Sequence, residues 1–335
     1  MKQHTILKTE EAIAFTKESF AKNLANQLNL IKVSSPLAVL DGTGINDDLN
    51  GTERPVSFPV RALKERKAVV VHSLAKWKRL RLKELGIESG KGILTDMRAL
   101  RPDEDYTPLH SIYVDQWDWE KCISHEERTL VYLKTTVTKI YKALRETERS
   151  VQIKYPDIEA VLPEEITFIH AEELLKRYPT LTPKQRETEA ALQYGAVFII
   201  GIGGNLSDGE PHDGRAADYD DWSTLNESGF SGLNGDIILW HPTLQCAFEI
   251  SSMGIRVDKI ALRKQLKEKK CEERAELLFH SMLLSGHLPQ SIGGGIGQSR
   301  LCMFILKKAH IGEVHVSIWP DEMKETMSLE GVTLL

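Results

Sequence analysis

Arg98, Arg101, Gln116 and Asp118 stand within residues 97–120, MRALRPDEDYTPLHSIYVDQWDWE, which reads as two extended arms joined by a charged loop. Polar and apolar residues alternate along 111–119 at the period of a strand, so Gln116 and Asp118 share one face. Arg101 ends the other arm and must reach across. A planar guanidinium suits a phosphate, while an amide and a carboxylate suit the polar groups of an amino acid. The same residues also fit an exposed hairpin with a solvated acidic tip at Asp103, Glu104 and Asp105.

Other candidates lie in loops and at strand ends. DGTGINDDLNG, 41–51, carries Asp41, Asp47 and Asp48, and its default reading is turn chemistry. A short strand at 68–71 ends at His72 and Ser73 and leads into the basic helix LAKWKRLRLKELG, stopped by Gly86. Lys76, Lys78 and Arg79 are not all expected to be buried, although Lys78 sits near a strand end, where ligands commonly bind. The loop from Gly201 to Gly235 far exceeds the usual connection of about 4–6 residues. Tyr219, Trp222 and Phe230 argue for an ordered wall or lid bearing Arg215, Asp218, Asp220 and Asp221. Asp236 and Glu249, on adjacent strands of a second hairpin, could share a magnesium ion. The glycine run in 290–308 is expected to open a helix, bringing the backbone of Gly294 and Gly295 close to a ligand. It matches neither a dinucleotide fingerprint, because Arg300 stands where the third glycine would be, nor a P-loop.

The elements that must hold these residues are legible in outline. Ile13, Phe20, Leu24 and Leu28 form a helical stripe over 8–28, with Lys17 laying its stem along it and its ammonium in water. LIKVSSPLAVL, 30–40, contains Pro36 and suits an edge or interface strand. A helix over 125–150 buries Leu130, Leu133, Val137, Ile140 and Leu144. Residues 163–194 give a short strand and two helices, with Pro183 at a helix start, before an apolar strand at 196–200. Helices are expected at 258–268 and 272–285.

The chain has 335 residues, of which 41% are hydrophobic and 27% charged, with a formal net charge of -5. That balance offers no bulk attraction to nucleic acid or anionic membrane. No apolar run approaches the roughly 20 residues of a membrane helix, and the N-terminus lacks a signal-peptide core, so a cytoplasmic chain is expected. Cys122, Cys246, Cys271 and Cys302 form no CxxC pair, which disfavours a zinc cluster or disulfide framework and suggests buried thiols.

HSLAKWKR (72–79), RALRPDED (98–105), LHSIYVDQWDWE (109–120), DYDDWST (218–224), LNGDIILW (233–240), ISSMGIRVD (250–258) and IGGGIGQSRL (292–301) together resemble the ammonia-dependent asparagine synthetases, the aspartate–ammonia ligase family. The resemblance covers essentially the whole chain. It implies a single α+β catalytic domain over 1–335, with the antiparallel sheet and flanking helices of class II aminoacyl-tRNA synthetases, paired as a homodimer and without an anticodon-binding segment. The Pro36 segment would be the first class II motif, the Arg101 hairpin the second and the Arg300 segment the third. Arg101 would clamp the ATP α-phosphate, and Arg300 would stack on adenine or contact phosphate. Arg215, Gly294 and Gly295 would complete the nucleotide site, with Mg2+ on Asp236 and Glu249. The substrate pocket matches Ser73, Lys78, Gln116, Asp118, Asp220, Ser252 and Arg256. Arg256 or Lys78 would hold the α-carboxylate of L-aspartate, and Asp118 or Asp220 its α-ammonium. Asp47, with Asp48 beside it, matches the family's functional aspartate, so Asp47, Arg101 and Gln116 are the expected catalytic groups. The implied reaction joins aspartate and free ammonia through β-aspartyl-AMP, releasing AMP and pyrophosphate. A tRNA-dependent ligase and a non-catalytic amino-acid-binding relative are the alternatives.

Overall fold

The computed structural model describes residues 2–47 and 53–335; Asp48 and the end of the 41–51 loop lie outside the described residues. The first part of the chain forms α1 (Lys2–Leu28), β1 (Leu30–Lys32), β2 (Ala38–Leu40), β3 (Ser57–Val60), β4 (Arg66–Val70), α2 (Ala75–Glu84), β5 (Gly92–Leu100) and β6 (Tyr113–Cys122). Next come α3 (Leu130–Lys154), β7 (Thr167–His170), α4 (Ala171–Arg177), α5 (Pro183–Tyr194), β8 (Ala196–Ile200), β9 (Asn234–His241) and β10 (Cys246–Ile255). The remainder supplies α6 (Lys259–Glu268), α7 (Leu278–Leu284), β11 (Ser291–Gly297), α8 (Gln298–Ile305) and α9 (Asp321–Leu329).

An eight-stranded sheet runs in the order β1-β5-β6-β11-β10-β9-β8-β7, and a three-stranded sheet in the order β2-β4-β3. The large sheet is antiparallel through its centre, but its edge pairs β1–β5 and β7–β8 are parallel, so it is mixed rather than wholly antiparallel. Alternation sorts side chains between its faces. Trp117 and Trp119 of β6 enter one core with Phe20, Leu24 and Leu28 of α1, Leu133 and Ile140 of α3, and Leu301 of α8. Phe20 packs on Trp117 with ring centroids 4.7 Å apart, and each such fully buried side chain contributes roughly 1.5–3 kcal/mol. On the other face, α4 and α5 cover β7–β9, while α6 and α7 pack with Leu80 of α2. The open area between these two groups holds polar residues.

Local signals explain several boundaries. Thr182 caps α5 in a reciprocal box with Gln185, and Pro183 occupies the first turn, where its missing N–H costs nothing. Asp258 caps α6 by accepting from the N–H groups of Ile260 and Ala261.

Four further expectations change. The Pro36 run divides: Leu30–Lys32 edges the large sheet, Ala38–Leu40 joins the small one, and Pro36 lies in the link, where no ladder donor is needed. The glycine run leads into a helix only at its end: Gly293, Gly294 and Gly295 belong to β11, laddered between β6 and β10, and Gly297 is the cap of α8, which begins at Gln298. The expected helix at 272–285 is a 3-10 turn at Glu272–Glu276 followed by α7. Only Cys122 and Cys302 are buried, whereas Cys246 and Cys271 are partly exposed.

Candidate active site

A cavity of about 530 Å³ opens on the polar sheet face. Asp47, Ser73, Lys78, Arg101, Gln116, Asp118, Arg215, Asp220, Asp236, Glu249, Ser252, Arg256, Gly294, Gly295 and Arg300 all line it. Asp218 and Asp221, read as part of the same wall, do not. Asp218 is tied to Lys76 and His280, each at 2.9 Å, and Asp221 to Arg128 at 2.6 Å, so both fasten the loop from behind.

The basic helix α2 overturns the expectation that Lys76, Lys78 and Arg79 are not all buried. All three are, because every cationic head meets an acceptor. Lys78 Nζ donates to the Gly294 carbonyl at 2.9 Å and pairs with Asp118 Oδ2 at 3.1 Å. Burial nevertheless lowers the Lys78 pKa, only partly offset by Asp118. Arg79 donates to the carbonyls of Pro289 and Val257, and burial pushes its pKa down to about 9. Lys17 also departs from expectation: its ammonium pairs with Asp115 at 2.8 Å rather than only with water.

Gln116, Asp118 and Glu120 follow one another at strand spacing on the polar face. Opposite them, β11 has glycines because side chains would not fit. A Cβ on Gly295 would lie 2.5 Å from Gln116 Oε1 and 2.8 Å from Asp118 Oδ1. One on Gly293 would lie 1.9 Å from Glu120 Oε2. Gly294 points the other way, toward Met253, and offers the cavity only backbone. Gly293, which lies beside Glu120 rather than on the cavity wall, must be glycine for the same reason, and the period of two could have identified it.

Arg256 is buried and doubly engaged. Its Nε and Nη2 donate to Glu120 at 3.0 and 2.8 Å, and its Nη1 donates to Asp220. Gln265 accordingly braces the Asp220 segment, donating to the Asp220 carbonyl at 2.9 Å.

A β-bulge between Glu249 and Ser251 shifts the β9–β10 register, which places Glu249 and Ser252 on one face although they are an odd number of residues apart. Ser252 Oγ donates to Glu249 Oε1 at 3.2 Å. Asp236 lies opposite Ser252 and accepts from Arg215 Nη2 at 2.5 Å. Burial pushes the Asp236 carboxyl up to about 6 against the pull of Arg215, and the Glu249 charge raises it further. Glu249 is held low because Arg300, Lys184 and Arg215 outweigh the cost of its burial. Among the described residues no cluster of three or more His, Cys, Asp or Glu forms a metal site. A carboxylate pair nevertheless fits Mg2+, which keeps waters and takes phosphate oxygens alongside one or two carboxylates.

At the far end, Arg300 donates to the Glu249 carbonyl at 3.0 Å and to His110 Nε2 at 2.6 Å. Burial, reinforced by Arg300, lowers the His110 pKa to about 4, leaving the ring neutral as an acceptor. His110 had no assigned role in the sequence reading; a lone histidine in a loop carries no local signal of this contact. Buried Arg101 Nε and Asp118 Oδ1 have no hydrogen-bond partner among the described residues, and both belong to side chains lining the cavity. At the opposite wall Ser73 Oγ donates to Asp47 Oδ2 at 3.1 Å.

This sheet, with its polar face between two groups of helices, is that of class II aminoacyl-tRNA synthetases. Over 93% of this chain it matches 70% of a Pyrococcus horikoshii asparaginyl-tRNA synthetase solved with asparaginyl-adenylate, with a TM-score of 0.68 at 14% identity. The particular family is given by sequence: the aspartate–ammonia ligase model matches residues 7–331. An aspartate–ammonia ligase of Parabacteroides distasonis is 57% identical over 98% of this chain and 95% of its own length. That of Clostridium perfringens is 55% identical over 99% and 96%. The chain belongs to the aspartate–ammonia ligase family and is an enzyme of that family.

Proposed function

We propose that the cavity makes L-asparagine from L-aspartate, ammonia and ATP, forming β-aspartyl-AMP and pyrophosphate before ammonia displaces AMP. The observation that carries this reading is the shared cavity: one lining holds both the polar group of Lys78, Asp118, Asp220 and Arg256 and the cations Arg101 and Arg300.

A carboxylate is a poor acyl donor, and converting it to an acyl phosphate anhydride supplies a leaving group. Arg101, whose Nε has no hydrogen-bond partner among the described residues, is suited to meet the charge that gathers on the α-phosphate as the aspartate β-carboxylate attacks. Arg300, steadied by neutral His110, is suited to the nucleotide. Backbone at Gly294 and Gly295, with Arg215 beside it, completes that wall. Asp236 and Glu249 would hold Mg2+, which supplies charge neutralisation on the phosphates. Arg256 or Lys78 takes the α-carboxylate, Asp118 or Asp220 the α-ammonium, and Ser73, Gln116 and Ser252 supply neutral hydrogen bonds. Asp47 attracts ammonium and accepts protons as the nitrogen attacks.

The large sheet draws strands from both ends of the chain, β1 at Leu30 and β11 ending at Gly297, which supports one catalytic unit. Among the described residues no helix is long and apolar enough to cross a membrane; the reading places the enzyme in the cytoplasm, where its substrates are.

Purified protein incubated with aspartate, ammonium and MgATP should form asparagine without RNA. A strict requirement for tRNA would replace this reading with an aminoacylating one; bound aspartate without turnover would replace it with a binding protein.

A further inference from the structure

Glu120 is fully buried and absent from the cavity wall, yet both of its oxygens are engaged. Its two oxygens accept from Nε and Nη2 of Arg256 as a fork, and Ser291 Oγ donates to Oε1 at 2.7 Å. Gly293 is bare where a Cβ would press within 1.9 Å of Glu120 Oε2 and 2.7 Å of Arg256 Nη2. Behind the fork, Arg128 donates to the Arg256 carbonyl.

Stability alone does not explain this arrangement. A buried ion pair roughly offsets its own desolvation, and apolar residues of similar volume serve a core as well or better. A bidentate fork does fix the plane and direction of a guanidinium. With Nε and one Nη2 hydrogen held from behind and Nη1 shared with Asp220, the remaining N–H groups of Arg256 have one orientation, and Arg256 lines the cavity.

Resting on the aspartate-pocket reading above, we propose that Glu120 is a positioning residue for substrate recognition: it never touches aspartate but aims Arg256 at it. Ser291 and Gly293 serve the same end, one by anchoring the carboxylate and the other by leaving it room.

The test is steady-state kinetics on full-length wild type, Glu120→Gln, Ser291→Ala and Arg256→Lys, with melting temperatures. Glu120→Gln keeps the shape but weakens the fork, and should raise the KM for aspartate about tenfold while the KM for ATP stays within about twofold. A merely structural role would lower melting temperature and active fraction without separating the two KM values. An aspartate KM raised in Arg256→Lys but unchanged in Glu120→Gln would overturn the proposal alone. No change in Arg256→Lys would overturn the pocket reading and the proposal with it. Should Glu120→Gln not fold, Ser291→Ala decides: an aspartate KM raised about threefold at constant ATP KM supports the proposal, and no rise overturns it.

Discussion

Ser73 Oγ donates to Asp47 Oδ2 across 3.1 Å, joining the loop after β2 to the segment that enters α2, 26 residues later. The contact holds a buried carboxylate at the cavity wall, where the proposed reaction puts the ammonia step. Activation of aspartate needs no proton acceptor, whereas attack by ammonia does. Asp47→Asn should therefore depress asparagine formation by about 10²- to 10⁴-fold and aspartate-dependent pyrophosphate exchange far less. Equal loss of both half-reactions, accompanied by a lower melting temperature, would make Asp47 a turn residue instead.

Gly295→Ala tests the cradle. The added methyl would sit 2.5 Å from Gln116 Oε1 and 2.8 Å from Asp118 Oδ1, displacing both side chains from the pocket. The aspartate KM should rise at least about tenfold, with melting temperature lowered by only a few degrees. Gly294→Ala points toward Met253, with its Cβ 2.5 Å from that side chain's Cβ, and should instead cost stability. The reverse pattern would contradict the assigned faces.

Asp236 gives the carboxylate pair a pH signature. Its folded-state value, raised to about 6 from the ordinary 3.8, means that the folded protein binds this proton more tightly than the unfolded chain. Without metal, its contribution to stability is therefore present at low pH and lost as pH rises through that interval. A cation needs the deprotonated form. The rise in melting temperature produced by magnesium should grow between about pH 5.5 and pH 7.5, and should vanish in Asp236→Asn. A magnesium effect independent of pH, and retained in the variant, would place the ion elsewhere.

Much of the polar face was legible because strands have a period of two: Gln116 and Asp118 announce a shared face, and the same count extends to Glu120. The glycine run misled because glycine removes the side-chain signal by which a strand is recognised, and its reason for being glycine lies on β6 and β10. Burial of Lys76, Lys78 and Arg79 was illegible for a related reason. Their acceptors, Asp218, Asp118 and the carbonyls of Val257 and Pro289, arrive from distant segments. The bulge that aligns Glu249 with Ser252 leaves no local mark either. Roles for Asp47, Arg256 and Arg300 came only with the family resemblance, since each residue type alone fits an ordinary surface.

A homodimer is expected from the edge at β1. Ile31, Leu37, Phe58 and Leu63 remain exposed on β1, the following link, β3 and the turn after it. An open strand edge with apolar neighbours invites pairing, and a twofold contact closes it. Light scattering should give twice the 37.8 kDa chain mass, and Leu37→Asp should shift the population toward monomer. A wild-type monomer with full activity at micromolar concentration would contradict this.

Adenylation is the central claim, and the nucleotide products test it most directly. With aspartate, ammonium and MgATP, each asparagine formed should be matched by one AMP and one pyrophosphate if the proposed attack at the α-phosphorus, with Arg101 as its clamp, is the first step. ADP and inorganic phosphate in place of that pair would mean attack at the γ-phosphorus and would contradict the account.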